Sequence, residues 1–346
     1  MLKIKMKPNF LPKLINDPLG DPGMMVEFLY ERRALQFDLG DLSGIPNSEL
    51  LKISHVFVSH THIDHFIGFD RLLRVVFGRE KTIHLFGPEN FIANVEGKLA
   101  GFTWNLVDRY SESVTLEVTE VHADRLLKVT LRAIDRFQRS DEREEPFADG
   151  VLVDEDGFTV RTAILEHRVP CLGFALKEKY HVNIRKERLE AMNYPSGSWL
   201  NELKQCIYEG KPDDHPLQIP SRENGCREKS LGQLKEELVL ISPGQKIAYV
   251  TDTVYNESNR EIVVDLVREA DIFFCESPFL AEEEGRGLER CHLTARQAGL
   301  LAGEANVKKL NLFHFSGRHT FRTDQLVREA EEAFREKSNQ KVSESA

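Results

Sequence analysis

The sequence predicts an α/β protein, and three observations point there. Short apolar runs alternate with amphipathic helical stretches along most of its 346 residues. Hydrophobic residues make up 41% and charged residues 29%, the balance of a chain that buries a core. No internal repeat and no low-complexity tract interrupts the alternation. The length fits one large or two ordinary domains.

The expected strands follow in chain order: Leu2–Met6, Met25–Tyr30, Ala34–Asp38, His55–His60, Thr82–Phe86, Val114–Glu120, Phe158–Glu166, Lys246–Thr251, Asp271–Cys275 and Lys309–Phe315. Each is an apolar or alternating run of strand length. A helix is expected after residue 65, where Phe66, Phe69, Leu72, Leu73 and Val76 recur at helical spacing. Thr294 is an N-cap for a second helix, through Ala298 and Leu301. The last helix starts after Thr323 with Leu326, Ala330 and Phe334 on one face. Residues 136–157 are charged and turn-rich, as in a surface hairpin or loop. The insertion 178–236, rich in Pro and Gly around one short helix (Gly197 to Tyr208), reads as a functional arm. One domain spans 1–336 with that arm inserted, and 337–346 reads as a disordered tail.

Charge and cysteine usage bound the function. The net charge is −10, from 46 basic and 56 acidic residues, so a general electrostatic coat for nucleic acid is excluded. No run is long enough for a membrane span and no signal-peptide pattern opens the chain. Five scattered cysteines without a C-x-x-C pair indicate reduced thiols, and the expected location is the cytoplasm.

The strongest chemical signal is S-H-T-H-I-D-H, Ser59 to His65. His60 and His62 leave a strand two residues apart, so both imidazoles can face the same way. Asp64 and His65 follow where a helix begins. Further donors end other apolar strands: His167 after Thr162–Leu165, Asp252 after Ile247–Val250, and His314 after Leu310–Phe313. Strand ends are fixed by packing, which suits a rigid site. Five histidines and two aspartates suffice for two adjacent metals, with Zn²⁺ the first choice and Mn²⁺ or Fe²⁺ also compatible.

H-T-H-I-D-H, His167, the T-D-T around Asp252 and H-F-S around His314 resemble the metallo-β-lactamase superfamily. H-L-T-A-R-Q-A-G (His292 to Gly299), H-F-S-G-R-H (His314 to His319), L-E-H-R-V-P-C-L-G-F (Leu165 to Phe174) and Y-P-S-G-S-W-L-N-E-L-K (Tyr194 to Lys204) resemble its ribonuclease Z branch. The resemblance implies a four-layer αββα sandwich and a dinuclear zinc phosphodiesterase that removes 3′ trailers from tRNA precursors. It implies that His60, His62 and His167 bind one metal, that Asp64, His65 and His314 bind the other, and that Asp252 bridges them. By the same resemblance Asp64 orients or deprotonates a water, His292 donates a proton with Glu276 as its partner, and Asp38 supports a ligand histidine. Ser316 and Arg318 are candidates for substrate phosphate. A homodimer that offers one subunit's arm to RNA on the other is also implied.

The loops Asn9–Pro22 and Gly40–Ser43 depart from that branch's Gly-rich patterns. From Lys177 to Glu236 the arm carries 11 Lys or Arg and 10 Asp or Glu, a net +1. Phosphate recognition there depends on clustering such as Arg185, Lys186 and Arg188. A hydrolase of a small phosphodiester, such as a cyclic nucleotide, is the main rival expectation. An iron redox protein would use the same ligands, but no flavin or nucleotide signature accompanies them.

Overall fold

The computed structural model describes residues 9–107, 113–220 and 225–344. The expected strand Leu2–Met6 lies outside the described residues. The first sheet has eight strands in sequential order: β1 Phe10–Leu14, β2 Met24–Phe28, β3 Ala34–Phe37, β4 Ile53–Phe57, β5 Lys81–Pro88, β6 Val114–Val121, β7 Arg125–Arg132 and β8 Arg139–Pro146. Strands β3 to β6 run parallel, and helices Phe69–Val76 and Phe91–Ala100 lie between successive members. The charged segment expected as a hairpin or loop supplies β8 as an edge strand, R-S-D-E-R-E-E-P. Its charges oppose further strand addition at that edge.

The chain then enters the second sheet through β9 Val151–Asp154, β10 Phe158–His167 and β11 Val169–Glu178. It leaves for the arm, with β12 His181–Ile184, β13 Pro216–Pro220, β14 Cys226–Ser230 and β15 Val239–Ser242. It returns as β16 Lys246–Val250, β17 Ile272–Glu276 and β18 Leu310–Phe313. The order of this six-stranded sheet is β18-β17-β16-β11-β10-β9, with β16, β17 and β18 parallel.

Three apolar layers make this a four-layer αββα sandwich. Phe37, Phe57, Phe174, Tyr249 and Phe313 fill the space between the sheets. Val56, Leu72, Leu85 and Val95 pack the first sheet against its outer helices, and Val250, Val263, Phe273 and Leu301 do so for the second. Strand β16 is buried along Ile247–Val250, the continuous apolar pattern of a strand covered on both faces.

The arm is more than a loop around one helix. Three helices, Lys186–Ala191, Trp199–Tyr208 and Leu231–Leu238, and two strand pairs enclose a separate core of Trp199, Leu203, Leu217, Leu231 and Leu234. The C-terminal helix runs Thr323–Glu344, past the boundary expected at residue 336. Its last turns are rich in Glu, Lys and Gln, which favour helix without needing burial. Among the described residues no helix is long and apolar enough to cross a membrane.

Candidate metal centre

The ends of β3, β4, β10, β16, β17 and β18 meet at one end of the sandwich. After β3, Asp38 adopts a left-handed backbone (φ 54°) and turns its buried carboxylate inward. That carboxylate accepts from the Ser59 N–H at 2.6 Å, the Ser59 hydroxyl at 2.9 Å, the Tyr249 hydroxyl at 2.9 Å and His65 Nδ1 at 3.0 Å. Asp38 thus ties both sheets to one histidine. The Asp38–Gly40 segment is zipped to the helical turn Ile63–Phe66 by Leu39 N–H to His65 carbonyl and Gly68 N–H to Leu39 carbonyl, both 2.8 Å. A Cβ on Gly68 would lie 2.2 Å from the Gly40 carbonyl oxygen, so this approach requires glycine.

The seven residues expected as ligands converge. His60, His62, His167 and Asp252 each place one donor atom within 4.8 Å of the others, and so do Asp64, His65 and His314. Asp252 lies between the groups: its Oδ2 is 3.5 Å from His60 Nε2, 3.6 Å from His65 Nε2 and 3.3 Å from His167 Nε2. Its Oδ1 is 2.8 Å from His314 Nδ1. Asp64 Oδ2 is 3.4 Å from His65 Nε2 and 3.3 Å from His314 Nε2.

The chemistry of this donor set fits metal cations. His167 Nδ1 faces the Cys291 carbonyl at 2.7 Å, which can only accept, so this nitrogen carries the proton. His65 Nδ1 faces Asp38, and His60 Nδ1 faces the Ser59 hydroxyl at 3.1 Å. The opposite Nε2 atoms of these three histidines turn toward Asp252, the ring orientation that a metal ligand needs. His60 Nε2 is buried without a hydrogen-bond partner, and His65 Nε2 has no contact nearer than 3.4 Å among the ligand-group carboxylates. Buried polar atoms left in this way mark a place for a bound ion.

The electrostatics agree. Burial, then the charge of His65, pushes His60 down to about 2, so it stays a neutral donor. Burial alone would raise Asp252 and Asp64. The neighbouring His314 and His65 outweigh it and hold both carboxyls well below their usual range. The site therefore keeps two carboxylates ionised, Asp252 in a nearly dry setting and Asp64 at its solvent side, where a cation is attracted.

Glu276 ends β17 fully buried and accepts His292 Nδ1 at 2.7 Å, the Thr253 N–H at 2.8 Å and the Leu293 N–H at 3.3 Å. Burial opposes ionisation of His292, but the Glu276 charge overcomes it and raises His292 above the ordinary histidine range. The expected pairing of Glu276 and His292 is therefore present, next to Asp252 at 3.8 Å. Thr294 caps the helix Ala295–Glu304 with a capping box to Gln297, which anchors the segment just after His292.

Ser316 and Arg318 lie on the turn after His314, the first half-buried and the second exposed, and no described contact joins them to the ligands. His319 is buried with Nε2 2.7 Å from Glu283 and serves the packing of that turn. The supporting groups that sequence reasoning missed include Ser59, Tyr249 and the Cys291 carbonyl. A backbone carbonyl leaves no trace in residue types, so the last had no signal to find.

No protein-family profile matches the chain. It is 25% identical over 279 residues to a protein named ribonuclease Z from Deinococcus radiodurans, covering 80% of each chain. It is 27% identical over 317 residues to the ribonuclease Z of Halalkalibacterium halodurans, covering 89% of this chain and 86% of that one. Among solved structures, the metallo-β-lactamase fold protein YhfI from Bacillus subtilis aligns with a TM-score of 0.54 at 16% identity, covering 93% and 92% of the two chains. The chain is a metallo-β-lactamase-fold protein that resembles ribonuclease Z in sequence.

Proposed function

We propose that the chain is a dinuclear zinc phosphodiesterase that cleaves 3′ trailers from tRNA precursors. The convergence of seven ligand-type side chains beside a Glu276–His292 pair carries this reading. His60, His62 and His167 would hold one cation and Asp64, His65 and His314 the other, with Asp252 shared. Such a pair supplies Lewis acidity at phosphorus and acidifies a water for in-line attack. The chain's own groups divide the remaining work. Asp64, with its side chain 36% exposed, is the ligand-group carboxylate most open to solvent, and it would orient or deprotonate the attacking water. His292, held through Nδ1 by Glu276, offers Nε2–H to the departing 3′-oxygen. Ser316 and Arg318, on the turn after His314, would meet the substrate phosphate.

The ribonuclease Z relatives and the position of the arm favour RNA over a small ester. The arm leaves β11 at Glu178, paired with Phe158, whereas His167 stands nine residues further along β10. At about 3.3 Å per residue, arm root and centre are roughly 30 Å apart, a span only a large substrate bridges. A location in the cytoplasm and a homodimer complete the proposal.

The purified protein should be assayed on a 3′-extended precursor tRNA and on a panel of small phosphodiesters, including cyclic nucleotides. Expected are cleavage that leaves a 3′-hydroxyl on the tRNA and about two zinc ions per chain by metal analysis. Turnover of a cyclic nucleotide without tRNA cleavage would overturn the RNA assignment and leave the hydrolase. Iron in place of zinc, with no hydrolysis of either, would overturn both.

A further inference from the structure

Asn259 stands in the first turn of the helix Glu257–Val267 and is 3% exposed. Asn256 caps that helix by accepting the Asn259 N–H at 2.8 Å. The Asn259 carboxamide meets two loops at once. Its Oδ1 accepts the Glu166 N–H at 3.1 Å, while its Nδ2 lies 3.1 Å from the Glu166 carbonyl oxygen. The same Nδ2 lies 2.8 Å from Thr253 Oγ1 and 3.0 Å from the Val254 carbonyl oxygen. Glu166 immediately precedes His167, and Thr253 immediately follows Asp252. Between their backbones, the Val254 N–H donates to the Glu166 carbonyl at 3.1 Å. Thr253 extends the connection, because its N–H donates to Glu276, which holds His292.

We infer that Asn259 is a positioning residue that sets His167 against Asp252, whose Nε2 and Oδ2 stand 3.3 Å apart. The inference rests on the metal-centre reading above. An amide is the side chain this position needs, since it must accept from one N–H and donate to several oxygens. A leucine offers neither, and a carboxylate would face three oxygens with no proton to give. Groups around a metal ligand that fix its direction change metal affinity 10–100-fold when lost. Asn259 acts on two ligands of one group together.

The test uses full-length Asn259→Ala and Asn259→Asp, stripped of metal and titrated with Zn²⁺ against a chromophoric chelator. Thermal unfolding of the metal-free forms is recorded alongside. Asn256→Ala is the control, because it removes the helix cap and a bond to the exposed Glu166 carboxylate while leaving the Asn259 amide between the two loop backbones. Zinc affinity is expected to fall about 10–100-fold in both Asn259 variants and to stay at the wild-type value in Asn256→Ala, although all three unfold at lower temperature. Thr253→Val, which keeps the shape but removes the oxygen on the amide's shortest bond, is expected to weaken zinc in the same direction, and it decides the matter if neither Asn259 variant folds. Wild-type affinity in a folded Asn259 variant, or an equal loss in Asn256→Ala, overturns the positioning role. A wild-type chain that takes up no zinc overturns the metal reading itself.

Discussion

Asp252 is 2% exposed, and burial on its own would protonate it. It stays ionised because His314 and His65 face it. Glu276 keeps its charge in the same way, against its own burial, through His292. These pairings separate the roles of two neighbouring carboxylates: Asp252 faces the imidazole donors, and Glu276 faces an imidazolium able to give up its proton. A substitution can tell the roles apart. A 3′-oxygen leaves as a strongly basic alkoxide and needs a proton, whereas p-nitrophenolate leaves without one. His292→Ala should therefore lower kcat on precursor tRNA by roughly 10²–10⁴. Hydrolysis of bis(p-nitrophenyl) phosphate and the bound zinc should change little. Parallel loss on both substrates would remove His292 from the proton-donor role.

Strands and helices differ in how openly the sequence declares them. The buried strands β3, β5, β16 and β17 agree with their apolar runs to within two residues at each end. The helix at Thr294 begins where its cap is written. Strand β11 escaped because Pro170 and Gly173 break its apolar pattern. The pairing with β10 absorbs both, and Arg168 turns between the strands at φ 54°. The helices Phe91–Ala100 and Glu257–Val267 escaped because their apolar residues come in contiguous runs, Phe91–Ile92 and Ile262–Val264 with Leu266–Val267, rather than as a spaced stripe. The candidate ligands were legible since six residues hold four of them and strand ends hold the rest. Of the groups around them Asp38 and Glu276 were legible at their strand ends, whereas Asn259 and the Cys291 carbonyl acquire meaning only once the loops meet. Strand β4 carries a consequence of its own. His55 is 7% exposed and stacks on His84 with ring centroids 4.5 Å apart. Burial first, then the charges of His84 and Arg33, push it down from 6.5 to about 3. Between those values the unfolded chain takes up a proton that the folded chain refuses, so stability falls as pH falls, by about 1.4 kcal/mol per pH unit. Urea unfolding at pH 6.5, 5 and 4 should show a shallower acid limb for His55→Gln than for wild type. Superimposable slopes would mean that His55 contributes nothing to acid lability.

At the scale of the molecule, the arm and the metal centre occupy opposite ends of the second sheet. The arm has its own core, and its outer strands close on each other through the pairing of His181 with Ser242. It touches the body through Lys204 Nζ on the Tyr30 hydroxyl at 3.1 Å and through Tyr208 on the buried Glu178 at 3.1 Å. The sandwich layers draw their apolar residues from outside this lobe. Excising residues 181–242 behind a short glycine link should therefore leave the sandwich folded, because the cut ends are already neighbours. Zinc content and turnover of bis(p-nitrophenyl) phosphate should stay near wild type, since the centre draws nothing from the arm. Precursor tRNA cleavage should fall steeply through KM, as a lost grip some 30 Å from the chemistry weakens binding rather than the reaction. The arm's cations bind phosphate in that reading, so wild-type KM should also rise with salt and the truncated chain's should rise less. Equal loss of both activities would make the arm a folding element. Unchanged tRNA cleavage would leave substrate recognition to the rim around Ser316 and Arg318.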